Sequence, residues 1–170
     1  MLMLALITLT GVSTAAAAEQ RSVSYDLAAA VTRYTKEYRV EVGDALRHEL
    51  RLYDLKREFS DTAPVFDGVR ATESRERGTS DLVDQNGRES GYVVYTLEDS
   101  NCVFGRYEGT VRTRRWPDGS RHYDIQGTIE LTGGTGRFGS IRGRLRVWQA
   151  LDPGADSNQG AVEGEYWFEP

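Results

Sequence analysis

The stretch VRATESRERG, Val69 to Gly78, carries an apolar face, Val69 and Ala71, onward by alternation into Glu73 and Arg75. If that face stays inward, a carboxylate and a guanidinium stand at the mouth of a cavity, where partial burial shifts a carboxylate's pKa and suits it to acid–base work. Glu73 is then the candidate proton acceptor or donor and Arg75 the candidate oxyanion stabiliser. The competing reading is a salt bridge on a rim. A second set is phenolic: Tyr95, Tyr107, Tyr123 and Tyr166 fall on the apolar faces of their runs, and Tyr34, Tyr38 and Tyr53 join them. Buried hydroxyls need partners, so these tyrosines bond one another in a packed core or line a cavity whose ligand presents oxygens. Tyr53, Tyr95, Tyr107, Tyr123 and Tyr166 are the candidate ligand-binding residues. Gly109, Gly127, Gly143 and Gly164, on the same faces, leave space opposite the rings.

Gly134-x-Gly136-x-x-Gly139 has the spacing of a dinucleotide-binding turn. Such a turn needs a helix after the glycines, whose free N–H groups hold the pyrophosphate. Here SIRGRLRVWQ follows, with Arg142, Arg144 and Arg146 alternating with Gly143, Leu145 and Val147, which is a strand. No Lys-Ser or Lys-Thr completes a phosphate loop. The glycines are therefore read as a tight corner in which Gly133, Gly134 and Gly136 permit positive φ and Phe138 plugs the end of a barrel. His48 and His122 are the only histidines and no Cys or His cluster accompanies them, so a metal site has poor support. No Gly-x-Ser-x-Gly elbow is present.

The elements that must position these residues are short runs of period two separated by turn residues. They are Val69 to Arg77, Gly91 to Glu98, Val103 to Arg115, Arg121 to Leu131, Ile141 to Gln149 and Val162 to Glu169, with turns at DQNGRES, EDSN, WPDGS, GGTG and DPGADSNQG. PDGS is the clearest hairpin signal. Ahead of Val65, DALRHELRLYDLKREF reads either as a helix after an Asp44 N-cap or as a strand with Leu46, His48, Leu50 and Leu52 on one face and Glu49, Arg51, Tyr53 and Leu55 on the other. TRYTKEYRVEV before it alternates more cleanly, and two strands are the adopted reading.

In a small barrel the apolar faces point inward. That places Val93, Tyr95 and Leu97, Tyr107 and Val111, Tyr123 to Leu131 at alternate positions, Leu145 and Val147, and Val162, Tyr166 and Phe168 inside. Arg106, Glu108, Arg112, Arg114, Asp124, Glu130, Arg142, Arg144, Arg146, Glu163 and Glu165 lie outside, as cross-strand ion pairs on a solvated wall.

A chain of 170 residues fits one domain. Residues 1–18, MLMLALITLTGVSTAAAA, have an apolar run and a small-residue end and read as a secretory signal peptide cleaved after Ala18, leaving 19–170 as one β-barrel domain in a secreted or periplasmic setting. The apolar run is too short to span a bilayer, so no stable membrane insertion follows cleavage. The net charge of −5, with signs interleaved, offers nucleic acid no electrostatic footprint. Cys102, the single cysteine, can form no intramolecular disulfide and is read as a half-buried strand thiol.

LTGGTGRFGSIRG, with the preceding GRYEG and the strands on both sides, resembles the Gly-Gly-x-Gly-x-Phe segment of the allene oxide cyclase and dirigent proteins and their small secreted bacterial relatives. The resemblance runs from about Gly91 to Trp148. It implies an all-β fold, a single antiparallel calycin-like barrel of eight or so strands, trimeric, with an apolar cavity and no cofactor. It carries over no catalytic residue by position. Three functions follow as expectations: a cofactor-independent isomerase, cyclase or lyase acting on a small aromatic or oxygenated apolar molecule; a binding barrel without chemistry; or a structural module of the cell envelope.

Overall fold

Alternation of apolar and polar residues, sustained over most of the chain, gives ten antiparallel strands in the computed structural model, which describes residues 18–27, 32–60, 62–152 and 157–170. The strands are β1 (Arg21–Asp26), β2 (Thr32–Glu41), β3 (His48–Glu58), β4 (Val65–Phe66), β5 (Val69–Val83), β6 (Asn86–Leu97), β7 (Cys102–Arg115), β8 (Arg121–Gly134), β9 (Ile141–Asp152) and β10 (Ser157–Phe168). They form one sheet in the order β1-β10-β9-β8-β7-β6-β5-β3-β2, with the short β4 paired to β5. Pairing does not join β1 to β2, so hydrogen bonds leave the sheet open there. Its inner faces nevertheless converge: a single cavity is lined from every strand except β4, which makes the fold barrel-like. The expected all-β, antiparallel fold is observed. The signal-peptide reading lies, but for Ala18, outside the described residues.

One end of the interior is packed solid by Phe66, Leu97, Val103, Leu131, Phe138 and Ile141, each at most 2% exposed. The glycine corner makes this possible. Gly133 and Gly136 have φ of 144° and 53°, and a short 3-10 turn over Gly136–Phe138 swings the Phe138 ring into the end of the barrel. A Cβ on Gly136 would stand 2.5 Å from Asn101 Oδ1 and push that side chain aside, and the positive φ itself favours glycine there. The dinucleotide-like spacing is architectural.

Three details correct the sequence reading. The region before Val65 is two strands, as adopted, but an irregularity between Tyr34 and Lys36 divides the face read as continuous. Tyr34 points into the cavity, whereas Tyr38 and Val40 stand exposed outside beside Leu50 and Leu52. DQNGRES is mostly strand: the turn is only Asp84 and Gln85, with φ of 45° and 64°, the left-handed pair a two-residue hairpin requires. β5 runs to Val83 and β6 starts at Asn86, so Glu89 belongs to a strand. Finally, β5 carries a bulge. Ala71 pairs with Leu97 and Glu73 with Thr96, leaving Thr72 as the extra residue. A single inserted residue exchanges the two faces of a strand, so Ser74, Glu76 and Ser80 turn inward while Glu73 and Arg75 turn outward.

Candidate functional site

The cavity, about 430 Å³, occupies the other end of the interior, and its size suits a small organic molecule. Leu55, Val93, Ile129, Val147 and Val162 give it apolar lining. Another part of its lining is charged, and the register explains how. On β3 the inward residues are Arg51, Tyr53, Leu55 and Arg57, at the two-residue spacing of one strand face. Leu55 pairs with Glu76 of β5, which sets Tyr53 and Arg57 on the two diagonals of the carboxylate. Tyr53 donates its hydroxyl to Glu76 Oε1 at 2.6 Å, and Arg57 Nη1 donates to Glu76 Oε2 at 3.3 Å.

A second triad lies one turn of the register away. Arg51 pairs with Ser80, and Ser80 with Glu89 of β6, so these three stand in one row across the sheet. Ser80 is small enough for Arg51 to reach past it. Arg51 Nε donates to Ser80 Oγ at 3.1 Å, Nη2 to Glu89 Oε1 at 3.0 Å and Nη1 to Glu37 Oε1 at 3.2 Å. The same guanidinium stacks over the rings of Tyr34 and Tyr53, at 5.4 and 5.1 Å from their centroids. Tyr107 Oη approaches Glu89 Oε2 at 3.5 Å. Its ring lies on the wall where Gly109 and Gly127 face each other, and a Cβ on Gly109 would stand 2.2 Å from the Tyr107 hydroxyl.

Burial sets the protonation of this cluster. It pushes the Glu89 carboxyl up from 4.5 to about 7, aided by the negative charge of Glu76 and opposed by Arg51. Burial raises Tyr53 and Tyr107 well above the usual phenol range, with Glu76 and Glu89 adding to it. Tyr25 is pushed up to about 12 by burial, partly offset by its 2.8 Å bond to Tyr95, whose hydroxyl is raised further. These phenols stay protonated donors. Burial works against the Arg57 charge, but Glu76 together with the hydroxyls of Tyr25 and Tyr95 holds the guanidinium ionised. Glu89 is thus a cavity carboxyl carried by burial to where it can gain or lose a proton near neutrality.

Of the residues singled out from sequence, Tyr53, Tyr95, Tyr107 and Tyr123 line the cavity. Tyr123 bonds Gln85 at the mouth. Tyr166 does not line it; its hydroxyl accepts from the Asp67 backbone N–H at 2.7 Å in the packed end. Glu73 and Arg75 stay outside, where Glu73 meets Lys56 at 2.7 Å and Arg75 lies 3.7 Å from Asp54. The inward carboxylates and guanidiniums, Glu76, Glu89, Arg51 and Arg57, were not singled out. Alternation of Arg51, Tyr53 and Leu55 was the available signal for β3; no signal marked the Thr72 bulge.

No family model and no curated protein matches this chain. Among solved structures, one described as pyocyanin demethylase aligns over 86% of this chain and 98% of its own, at 13% identity and a TM-score of 0.44. A likeness at that level assigns neither a family nor a residue role.

Proposed function

We propose that this protein binds a small aromatic or oxygenated apolar molecule in the barrel and moves a proton on it, as a cofactor-independent isomerase. The observation that carries the reading is Glu89: a buried carboxyl inside a ligand-sized cavity, aligned by Arg51 and Tyr107, with its pKa near neutrality. The ionised carboxylate takes a proton from a carbon next to a carbonyl, the C–H electron pair passes to the oxygen as an enolate, and the acid returns the proton at another carbon. Such a shift balances without an electron acceptor. Kinship with the allene oxide cyclase and dirigent type, a trimeric assembly, and export from the cytoplasm belong to the same proposal. They rest on the glycine corner with its Phe138 plug and on the leader-like residues 1–18.

The test is hydrogen–deuterium exchange at carbon, followed by NMR in D2O with a panel of cyclic enones and aryl ketones. Exchange is expected with the native protein and is lost in Glu89→Gln while the compounds still bind. Unchanged exchange in Glu89→Gln removes the assignment. Binding without exchange in the native protein leaves a binding barrel without chemistry.

A further inference from the structure

The two triads are built alike but are not equally complete. Arg51 spends all three of its guanidinium nitrogens on Ser80, Glu37 and Glu89. It is a positioning residue, tied to the protein through every nitrogen and with only one N–H on each terminal nitrogen unspent. Arg57 is the opposite case. A guanidinium carries a fork of N–H donors and no acceptor, and Arg57 makes a single hydrogen bond among the described residues, the long one to Glu76. Its Nε is closed off from water and meets no acceptor. Buried polar groups in folded proteins are nearly always satisfied, and an exception needs an explanation. The hydroxyls of Tyr25 and Tyr95, which bond each other at 2.8 Å, do not accept from Arg57 Nε.

We propose that Arg57 is the anchor for the ligand's oxygen, and that the ligand is a flat, largely apolar molecule bearing a carbonyl conjugated with its ring. This rests on the reading of the cavity as a small-molecule site. Leu55, Val93 and Ile129 offer the ring an apolar bed, and the terminal nitrogens of Arg57, which are not closed off as Nε is and spend a single N–H on Glu76, offer the oxygen its partners. Glu76 already balances the Arg57 charge at 3.3 Å, which disfavours a second full negative charge and favours a neutral acceptor whose charge grows only during reaction. Tyr53 holds the other oxygen of Glu76 and so keeps the carboxylate from swinging to the ligand's place. Under this assignment Arg57 polarises the carbonyl while Glu89 handles the proton.

The experiment uses 1-tetralone labelled with 13C at its carbonyl, and tetralin as the analogue lacking the oxygen. Binding is followed by saturation-transfer NMR and the carbonyl stretch by infrared difference spectroscopy. The expected result is a bound carbonyl shifted to lower wavenumber in the native protein, with 1-tetralone bound at least tenfold more tightly than tetralin. In Arg57→Gln the shift and the preference both disappear while tetralin binding persists. Because that variant leaves Glu76 without its cation, Arg57→Gln/Glu76→Gln, which removes both charges together, is measured beside it and should give the same loss. A carbonyl shift that survives both variants, or bound 1-tetralone with no shift in the native protein, overturns the Arg57 assignment and leaves the cavity reading standing. Failure of both compounds to bind overturns the two together.

Discussion

Replacing Glu89 by glutamine tests whether the protein holds a proton that its unfolded chain would release. The native carboxyl is 9% exposed and its pKa stands near 7 against an ordinary 4.5, through burial and the Glu76 charge. Between those two pH values the native state keeps a proton on Glu89 and the unfolded state does not, so unfolding releases it. Stability from this group is therefore fully present below pH 4.5, falls as pH rises, and is lost above about 7. At about 1.4 kcal/mol per pH unit the loss is on the order of 3 kcal/mol. The Glu89→Gln side chain resembles the protonated acid and cannot ionise, so the variant escapes this decline. Urea unfolding of both proteins from pH 4.5 to 8.5 should show the variant gaining on the native protein by that amount, a midpoint shift on the order of 1–2 M. Taking the difference cancels groups common to both, His48 between Asp44 and Asp81 among them. A difference that is flat with pH, or one in which the native protein gains, would mean that Glu89 ionises as an ordinary carboxylate, and the proton-carrying role would fall with it.

Glu76→Gln removes the like charge that helps raise Glu89 and frees Arg57, so the Glu89 midpoint should drop below 7 in 13C NMR titration of the glutamate carboxyls; no change would show the two carboxylates to be uncoupled. Ser80→Val sets methyl groups where Arg51 now passes, breaking the 3.0 Å contact with Glu89. The Glu89 midpoint should then rise, since Arg51 is what opposes burial there, and the same titration reads it. Phe138→Ala empties the plug at the closed end and should cost about 3–5 kcal/mol in urea unfolding, with the Glu89 midpoint unmoved because the plug lies outside the cavity lining.

The inner faces of β6 to β10 were legible because their alternation runs almost without interruption. Val93, Tyr95, Tyr107, Ile129, Leu145 and Val162 are buried as the pattern says, and the Arg and Glu rows face out, Arg144 pairing across to Glu130 and Glu165. Phe138 as a plug was legible from the glycines that free its corner. β5 was not, because Thr72 is an ordinary residue and only the pairing with β6 reveals that it is one too many. Glu73 and Arg75 were the right kinds of residue on the wrong face, and the carboxylate three positions on, Glu76, took the place assigned to Glu73. Glu89 was hidden for a different reason. Gln85, an unusual residue for a left-handed turn position, shortened a turn that Asn86 and Gly87 seemed to own.

β3 divides its apolar residues between its two faces, and the division has a direction. Its apolar residues Leu50 and Leu52 are exposed, beside Tyr38 and Val40 of β2, while Arg51, Tyr53 and Arg57 face the interior. Turning the strand over would bury Leu50 and Leu52 in exchange for Tyr53 and Leu55 and return two guanidiniums to water, and burying such charges, even paired, is seldom better for stability than an apolar core. The opposite end of the same barrel is filled instead with Phe66, Leu97, Leu131 and Ile141. Local rules are broken where function requires it. The charged lining of the cavity, set among apolar residues and holding a carboxyl that burial drives up toward neutrality, is where this chain departs from what stability alone would select, and that departure is the physical reason to look there for chemistry.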